Sequence, residues 1–448
     1  MIPLNDPLLP AQWHISNRDE AGEPLGYDLN VVPAWERYSG AGIRVAVVNS
    51  GVDYTHDDLA ANYDHAASYD AVTGGTDVFP YDGNAHGTAI AGLIAADNAN
   101  GFGGVGVAPD ATLISIRNCG SQFNIETFLD ATAHVLPADA DVASNSWGFG
   151  RLAPFFDNFN NPSFVPFERV MSDIARYGRD ELGAVQVFCA GNQRLTHGDR
   201  VDYHSIQASR FVITVAAIDQ AGNVSEYSNP GASNLVSAFG TPGEVVTTDI
   251  AGLAGYTDGD FTYKFNGTSA ATPMVAGVVA LMLEANPALG YRDVQEILAY
   301  SSRFTVDDGS WQINGADDYN GGGLPVSDNF GFGLVDAHAA TRLAETWTTQ
   351  HTYLNEEWIE ATSPVEASIP DASALSDSIE LDIGEGFKID HVEVDVNLAH
   401  EHLGDLSLRL VSPAGTRSVL MDRPGRTEEN SFGMEGGELN FTFTSTQH

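Results

Sequence analysis

Two residues in the sequence could act together in acyl chemistry. His86 opens a stretch whose apolar residues recur at helical spacing, and Ser269 opens a second such stretch. A serine hydroxyl becomes nucleophilic when a base such as histidine lies within hydrogen-bond reach. Backbone N–H groups at a helix N-terminus can stabilise the anion that forms. We therefore predict that Ser269 is a nucleophile and that His86 is its general base and later its general acid.

A third polar residue, Asn192, follows the apolar run 185–188, which reads as a buried strand. Its amide could donate to the same oxyanion as the Ser269 N–H, because acyl transfer is catalysed by donors aimed at the developing charge. The competing interpretation is that Asn192 only forms a turn after the strand, where asparagine is common. We favour the oxyanion role.

Alternating strands and helices through the first 345 residues would position these side chains. Strand and helix in turn indicate an α/β fold with a doubly wound, mostly parallel sheet. In such a sheet, functional sites gather at the carboxyl ends of the strands. Buried strands are predicted at 43–48, 113–116, 185–188 and 211–218, and helices at 86–97, 269–285 and 292–300.

The pattern changes after residue 345. Residues 346–377 are rich in Thr, Ser, Glu and Pro, which is typical of a linker. From 378 to 448 apolar residues occupy every second position of several short runs, such as 379–383, 392–398, 406–410 and 439–443. This period predicts a small antiparallel β-sandwich. The sequence stops directly after a predicted strand, so we expect this second domain to be partial.

Taken together, the motifs resemble those of the subtilisin-like serine proteases. The matching segments are VAVVNSGVDYTHDDL at 45–59, HGT at 86–88, AGN at 190–192 and GTSAATP at 267–273. The later β-rich region, above all DLSLRLVSP at 405–413, resembles the P-domain of the kexin and furin branch. The resemblance implies a subtilisin-like peptidase domain over 1–345, a partial P-domain over 378–448, and a secreted serine endopeptidase.

One position departs from the family pattern. The resemblance implies a triad aspartate in Asp-Ser-Gly or Asp-Thr-Gly, but this chain has Asn49-Ser50-Gly51. An aspartate accepts from the histidine Nδ1–H and stabilises the imidazolium, whereas an asparagine can turn its NH₂ towards the ring and favour the wrong tautomer. We therefore expect a nearly inactive variant. We favour a deliberate substitution that prevents self-digestion over a natural pseudoprotease that binds peptides or a pro-segment without cleaving them.

The resemblance also implies a structural Ca²⁺ beside the helix that begins at His86. Carboxylate, amide and carbonyl oxygens are the ligands that Ca²⁺ prefers. The alternative is that residues 97–104 form only a turn and that the acids are solvated. The matching positions are the side chains of Asp6, Asp58 and Asn100 and the backbone carbonyls of Asp97, Phe102 and Gly104.

Two further segments are implied in substrate binding. One matches the strand that lines the S1 pocket and pairs with extended substrate; it comprises Ser144, Asn145, Ser146, Trp147 and Gly148. The other lies beyond Asn192, where Asp199 and Asp202 could meet a basic P1 side chain or could be solvated loop acids. Cleavage after Arg or Lys therefore stays open.

Several acids of furin and kexin near this pocket are replaced here. Ser50, Gly150-Arg151 and Asn229 stand at the corresponding places. The resemblance to those enzymes is weakest at these positions, and we do not expect a second calcium ion beside the pocket.

Charge narrows the choice of partners. The chain has 20 Lys+Arg against 61 Asp+Glu, a formal net charge of −41, so a nucleic-acid partner is not expected. No apolar run reaches the roughly 18 residues of a membrane span. We expect a protein or peptide substrate, with a pro-segment or chaperone-like inhibitor as a further partner. No basic segment followed by an apolar stretch opens the chain, so we expect its signal and pro-segment to be absent from this sequence.

Overall fold

A computed structural model describes residues 5–447, with several gaps. The gaps are residues 20, 99, 121–122, 151, 242–244, 317–321, 364–367, 370–378 and 383–387. Arg151, Ile383 and much of the predicted linker over 346–377 therefore lie outside the described residues.

A parallel sheet forms the core of the first 345 residues. Its strands pair in the order β2-β3-β1-β4-β5-β6-β7, and each pair is parallel. The central strands are buried on both faces, which explains why the sequence shows continuous Val, Ile and Ala runs there. The strands are β1 (Arg44–Asn49), β2 (Tyr69–Asp70), β3 (Thr112–Arg117), β4 (Val142–Asn145), β5 (Val185–Cys189), β6 (Val212–Asp219) and β7 (Asn234–Thr241).

Helices cover both faces of this sheet, as expected for a doubly wound fold. Val45 and Val47 of β1 belong to a larger core that contains α1 and α5, whereas Ala46 and Val48 face a smaller core that includes residues of α2 and α3. The alternation follows from the two-residue period of a strand. The helices are α1 (His86–Ala95), α2 (Ile125–Ala133), α3 (Val165–Tyr177), α4 (Arg194–His197), α5 (Thr268–Ala285), α6 (Tyr291–Ser301) and α7 (Ala337–Ala344).

Helix α5 is the central helix of the larger core. By length and composition it could cross a membrane, but 89% of it is buried inside the protein. It packs against β4–β7 and against α1 and α7. Burial on all sides accounts for its apolar composition.

Three small antiparallel pairs and one longer pair complete the described strands. β8 (Val245–Thr248) pairs with β9 (Phe261–Phe265), and β10 (Gln312–Ile313) pairs with β11 (Pro325–Val326). In the last region β12 (Val392–His400) pairs with β15 (Gly437–Ser445), and β13 (Ser407–Val411) pairs with β14 (Arg417–Asp422). The predicted antiparallel strands are confirmed, except that residues 379–382 form no strand. The strand β14 was not predicted.

The last region packs directly on the α/β region. The ring centroids of Phe155 and Phe441 lie 5.0 Å apart in an edge-to-face arrangement. The guanidinium of Arg200 donates to the Val419 carbonyl at 2.8 Å, and the Tyr203 hydroxyl contacts the Asp422 backbone. The inner apolar face of β15 is thus covered in part by the α/β region.

The packing of Phe441 predicts a large loss of stability when its ring is removed. The side chain is fully buried between Phe155 and Phe443. We expect Phe441→Ala to lower the free energy of unfolding by about 3–5 kcal/mol, because a large cavity forms. Thermal and denaturant unfolding would measure the change. The matched control Phe432→Ala, whose ring is 84% exposed, should change stability little; equal effects of both variants would contradict the packing argument.

Candidate active site

A close backbone approach brings the start of α1 onto the end of β1. A Cβ on Gly87 would lie 2.1 Å from the Gly51 carbonyl oxygen, so only glycine fits at residue 87. Gly51 itself has φ +99°, a conformation that favours glycine. Asn49 is the last residue of β1 and His86 the first of α1. The two glycines therefore place the Asn49 and His86 side chains side by side.

The side-chain amide of Asn49 faces His86 with its oxygen. The Oδ1–Nδ1 distance is 2.7 Å, so the ring nitrogen donates to the amide. The Ser50 N–H donates to the same Oδ1 at 2.9 Å, while Nδ2 lies 3.5 Å from the Ser146 carbonyl. This orientation is the reverse of the one expected from the sequence. It keeps the proton on Nδ1 and leaves the Nε2 lone pair of His86 free for base chemistry.

His86 is held in an environment that favours its neutral form. The ring is partly buried, and Phe265 packs edge-on against it with centroids 5.5 Å apart. Burial lowers the pKa of His86 to about 4. Among the described residues no carboxylate contacts the ring to oppose this effect, because the partner of Nδ1 is the uncharged Asn49 amide.

Ser269 is the second residue of α5, where the chain turns sharply into the helix. The residue before the helix, Gly267, has φ +89° and serves as the N-cap. Ser146 donates from its Oγ to the Ser269 carbonyl at 3.1 Å. Because Ser146 also contacts Asn49, the S1-lining segment connects the ends of β1 and the start of α5.

Asn192 is fixed by the residue next to Ser269. Its Oδ1 accepts from both the backbone N–H and the hydroxyl of Thr268, each at 2.9 Å. The amide nitrogen must then point away from Thr268, and it lies 3.2 Å from where a Cβ of Gly267 would be. The Ser269 backbone nitrogen lies 3.6 Å from the same point, so the Asn192 NH₂ and the Ser269 N–H border one space, as an oxyanion site requires.

The predicted S1-lining segment lies between these groups. Ser144 and Asn145 end β4 and are buried, and the indole N–H of Trp147 donates to Asn145 Oδ1 at 3.1 Å. A Cβ on Gly148 would come within 1.9 Å of Gln207 Nε2. Gln207 was not singled out from the sequence, because a lone glutamine in a loop carries no spacing signal.

The two acids expected to meet a basic P1 side chain behave differently. Asp199 lies under the pocket segment but is buried and accepts from Asn229 Nδ2 at 2.8 Å and from His204. Asp202 is fully buried and bonded to Arg200 and Ser233, away from a substrate. Burial raises the pKa of Asp202 to about 7. The structure therefore removes Asp202 from the substrate-binding set, because its loop turns the side chain inward.

Three acids beside α1 lie close together. Both carboxylate oxygens of Asp6 are buried and receive no hydrogen bond among the described residues. Burial raises the pKa of Asp6 to about 6, and the Asp97 charge adds to this effect. Burial likewise raises the pKa of Asp58 to about 7, with Asp6 and Asp97 contributing. The buried Asp6 carboxylate, which receives no hydrogen bond among the described residues and lies close to two other acids, fits a divalent cation with oxygen ligands.

The loop that follows α1 presents nitrogen as well as oxygen to these acids. Asn100 donates from Nδ2 to Asp58 Oδ1 at 2.8 Å, and its own Oδ1 accepts from the Phe102 N–H. The Gly104 N–H donates to Asp58 Oδ2 at 3.2 Å. In this arrangement the Asn100 oxygen is directed away from Asp58, contrary to the expected ligand role. The carbonyl roles of Asp97, Phe102 and Gly104 stay predictions.

A second cluster of possible metal ligands has another explanation. Asp293, Glu296 and His351 bring their ligand atoms within 4.8 Å of one another. The two Asp293 oxygens, however, already accept from Trp347, Thr349 and two backbone N–H groups. This carboxylate anchors the start of α6 and the segment after α7.

Comparisons with known proteins identify the family of the chain. The family model described as "Subtilase family" matches residues 40–333, and that of the "Proprotein convertase P-domain" matches residues 389–448. The PC3-like endoprotease variant B of Hydra vulgaris is 32% identical over 455 residues, which cover 96% of this chain and 60% of the relative. Human neuroendocrine convertase 2 is 30% identical over 455 residues, which cover 97% of this chain and 68% of that protein.

A comparison with solved structures also finds serine proteases. The serine protease of Aeromonas sobria, solved in complex with its chaperone, superposes with a TM-score of 0.78 at 25% identity, covering 100% of this chain and 89% of that one. The chain spans 60% and 54% of the length of the two Hydra relatives. These matches and the geometry above lead to one conclusion: the chain belongs to the subtilase family of serine proteases, in the proprotein-convertase branch that carries a P-domain.

Proposed function

We propose that the protein is a secreted, calcium-stabilised serine endopeptidase whose turnover is limited by Asn49. The observation that carries this proposal is the Asn49–His86 hydrogen bond, which leaves a neutral base of the correct tautomer at the start of α1, the helix that packs against α5. Protein or peptide chains are the substrates that a strand-like S1-lining segment accepts.

The proposed reaction uses Ser269, His86 and Asn192. Ser269 Oγ attacks the scissile carbonyl carbon as His86 Nε2 takes its proton. The carbonyl oxygen becomes an anion, which accepts from Asn192 Nδ2 and the Ser269 N–H. His86 then gives its proton to the leaving amine, and water repeats the sequence on the acyl-enzyme. The chemistry thus releases two shorter peptides and restores the serine.

Asn49 slows this sequence at the charged intermediates. When His86 gains a second proton, an aspartate would stabilise the imidazolium, whereas an amide oxygen offers only a dipole. The loss is about 10⁴-fold in enzymes where the triad aspartate is removed. Here the amide already selects the correct tautomer, so we expect a smaller loss.

Restoring the carboxylate should restore turnover. We expect Asn49→Asp to raise kcat on fluorogenic peptides by at least about 10²-fold and by less than about 10⁴-fold. Initial rates in millimolar Ca²⁺ would measure the gain, for the parent and the revertant side by side.

The control is Ser269→Ala in the same revertant, which should abolish the gain. If the revertant is as inert as the parent, the endopeptidase proposal fails. The rival function, in which the cleft binds peptides without cutting them, then gains support.

The protonation of His86 should respond to the same substitution. Its pKa is about 4 because burial opposes the charged form. A carboxylate at residue 49 stabilises that form, so Asn49→Asp should raise the His86 pKa. NMR titration of the imidazole would measure both values. Histidine signals outside the site should not move between the two proteins; an unchanged His86 pKa would contradict the electrostatic role of residue 49.

The proposed calcium site involves Asp6 and Asp58, with Asp97 near them. Its support is the raised pKa of Asp6, about 6, and of Asp58, about 7. A carboxyl whose folded pKa is raised costs stability as pH rises through that value, because the folded state must hold an unfavourable charge. A bound Ca²⁺ would remove this cost, since it binds the deprotonated acids.

Chelation should therefore destabilise the protein more as pH rises. We expect EGTA to lower the Tm by more at a pH above the Asp58 pKa than at a pH below the Asp6 pKa. In Asp58→Asn the drop should shrink, whereas the matched control Asp57→Asn, at an exposed neighbouring position, should behave as the parent. Thermal unfolding with and without Ca²⁺ provides the measurement. An equal chelator effect in Asp58→Asn and the parent would argue against this site.

Secretion and a folding partner complete the proposal. A structural Ca²⁺ suits compartments where calcium is abundant. The fold neighbour from Aeromonas sobria was solved with a chaperone, which supports a pro-segment or chaperone-like inhibitor as a partner here.

A further inference from the structure

The base of the predicted S1 pocket holds a buried histidine that the proposed mechanism does not use. His204 Nδ1 lies 2.6 Å from Asp157 Oδ1. On the other side of the ring, Nε2 lies 2.9 Å and 3.0 Å from the two oxygens of Asp199. All three residues are at most 1% exposed.

This arrangement requires a charged ring. A neutral imidazole has one donor nitrogen and one acceptor nitrogen, but ionised carboxylates only accept, so both ring nitrogens must donate when Asp157 and Asp199 carry their charges. Burial alone would lower the pKa of His204, yet the charges of Asp199 and Asp157 raise it well above its usual value. These two acids are the charged groups that face the ring, one from the loop before α3 and one from the loop after α4.

The same carboxylate adjoins both sides of the pocket. A Cβ on Gly150, just after the S1-lining segment, would lie 2.7 Å from Asp199 Oδ2 and 3.3 Å from His204 Nε2. A Cβ on Gly191, next to the oxyanion residue Asn192, would lie 2.6 Å from Asn229 Nδ2, which donates to Asp199. Asp199 therefore adjoins Gly150 directly and Gly191 through Asn229, the two glycines that flank the predicted S1 pocket.

We propose that His204 is a built-in cation of the S1 pocket, which neutralises Asp199 and so suppresses any preference for Arg or Lys at P1. The inference rests on the proposed endopeptidase function and assigns its substrate class: chains with an uncharged P1 residue. His204 acts through Asp199 and is a specificity-determining positioning residue.

The interactions that Asp199 already makes explain why a basic P1 residue would not be preferred. Its oxygens already accept from an imidazolium and from the Asn229 amide. A P1 guanidinium would have to share this acid with His204 and would bring a second positive charge beside the ring. An uncharged P1 side chain would neither compete with His204 for Asp199 nor be repelled by the positive charge of the ring.

Removing the His204 imidazolium should leave the Asp199 carboxylate able to bind a basic P1 side chain. In the Asn49→Asp background, we expect His204→Asn to raise the ratio of kcat/KM for P1 Arg over P1 Leu by about tenfold or more, because a freed buried carboxylate binds a guanidinium strongly. The matched control His402→Asn, at an exposed histidine, should leave this ratio unchanged. A general loss of packing would lower both rates together and would not move their ratio.

A second variant tests the inference if His204→Asn does not fold. Asp199→Asn keeps the His204–Asp157 pair and the shape of the side chain. If Asp199 is neutralised, this variant should change the Arg-to-Leu ratio by less than about twofold. A tenfold or greater fall would mean that Asp199 already reads a basic P1 residue, which overturns the inference.

The outcomes separate the inference from the function on which it rests. If the Asn49→Asp protein cleaves no peptide of the panel, the endopeptidase proposal fails. If it cleaves peptides and a folded His204→Asn protein shows an unchanged ratio, only the role of His204 is overturned. Circular dichroism and the Tm establish that each variant is folded.

Discussion

The contact between the Gly51 carbonyl and Gly87 is the constraint on which the site depends. A side chain at residue 87 would meet that oxygen at 2.1 Å, so α1 could not come this close to the end of β1. With the helix further away, His86 would lose its 2.7 Å hydrogen bond to Asn49 and its place beside α5. The close approach of the two backbone segments at Gly51 and Gly87 is thus a condition for the placement of the side chains in the site.

Around that contact, neutral hydrogen bonds rather than charges orient the Asn49 and His86 side chains. The Ser50 N–H donates to Asn49 Oδ1 and so decides which end of the amide faces His86. The site keeps the geometry of a proton-transfer pair while lacking the anion that would stabilise the transferred proton. The contrast with His204 is informative, because two carboxylates lie within hydrogen-bond distance of that ring, whereas none of the described carboxylates contacts the His86 ring.

Much of the fold followed from sequence pattern, and the errors have physical causes. The apolar runs predicted β1, β3, β5 and β6 to within about a residue or two, because strands buried on both faces leave continuous signals. β14 was missed because neighbouring residues Leu420 and Met421 are both buried, which breaks the two-residue period. Motifs located Asn49, His86, Asn192 and Ser269, but the direction of Asp202 depends on Arg200, and the Asp157–His204 pair joins residues 47 positions apart. No local spacing encodes the Asp157–His204 contact.

The loop between Asp199 and His204 serves two regions at once. Its first and last residues lie beneath the pocket, whereas Arg200 and Tyr203 between them contact β14 of the last region. Such a loop cannot change its conformation for one neighbour alone. Thermodynamic linkage is reciprocal, so a peptide that binds better to one arrangement of this loop must strengthen the docking of β14 by the same factor. Peptide binding in the cleft and the docking of the last region are then coupled through the equilibrium between the conformations of this loop.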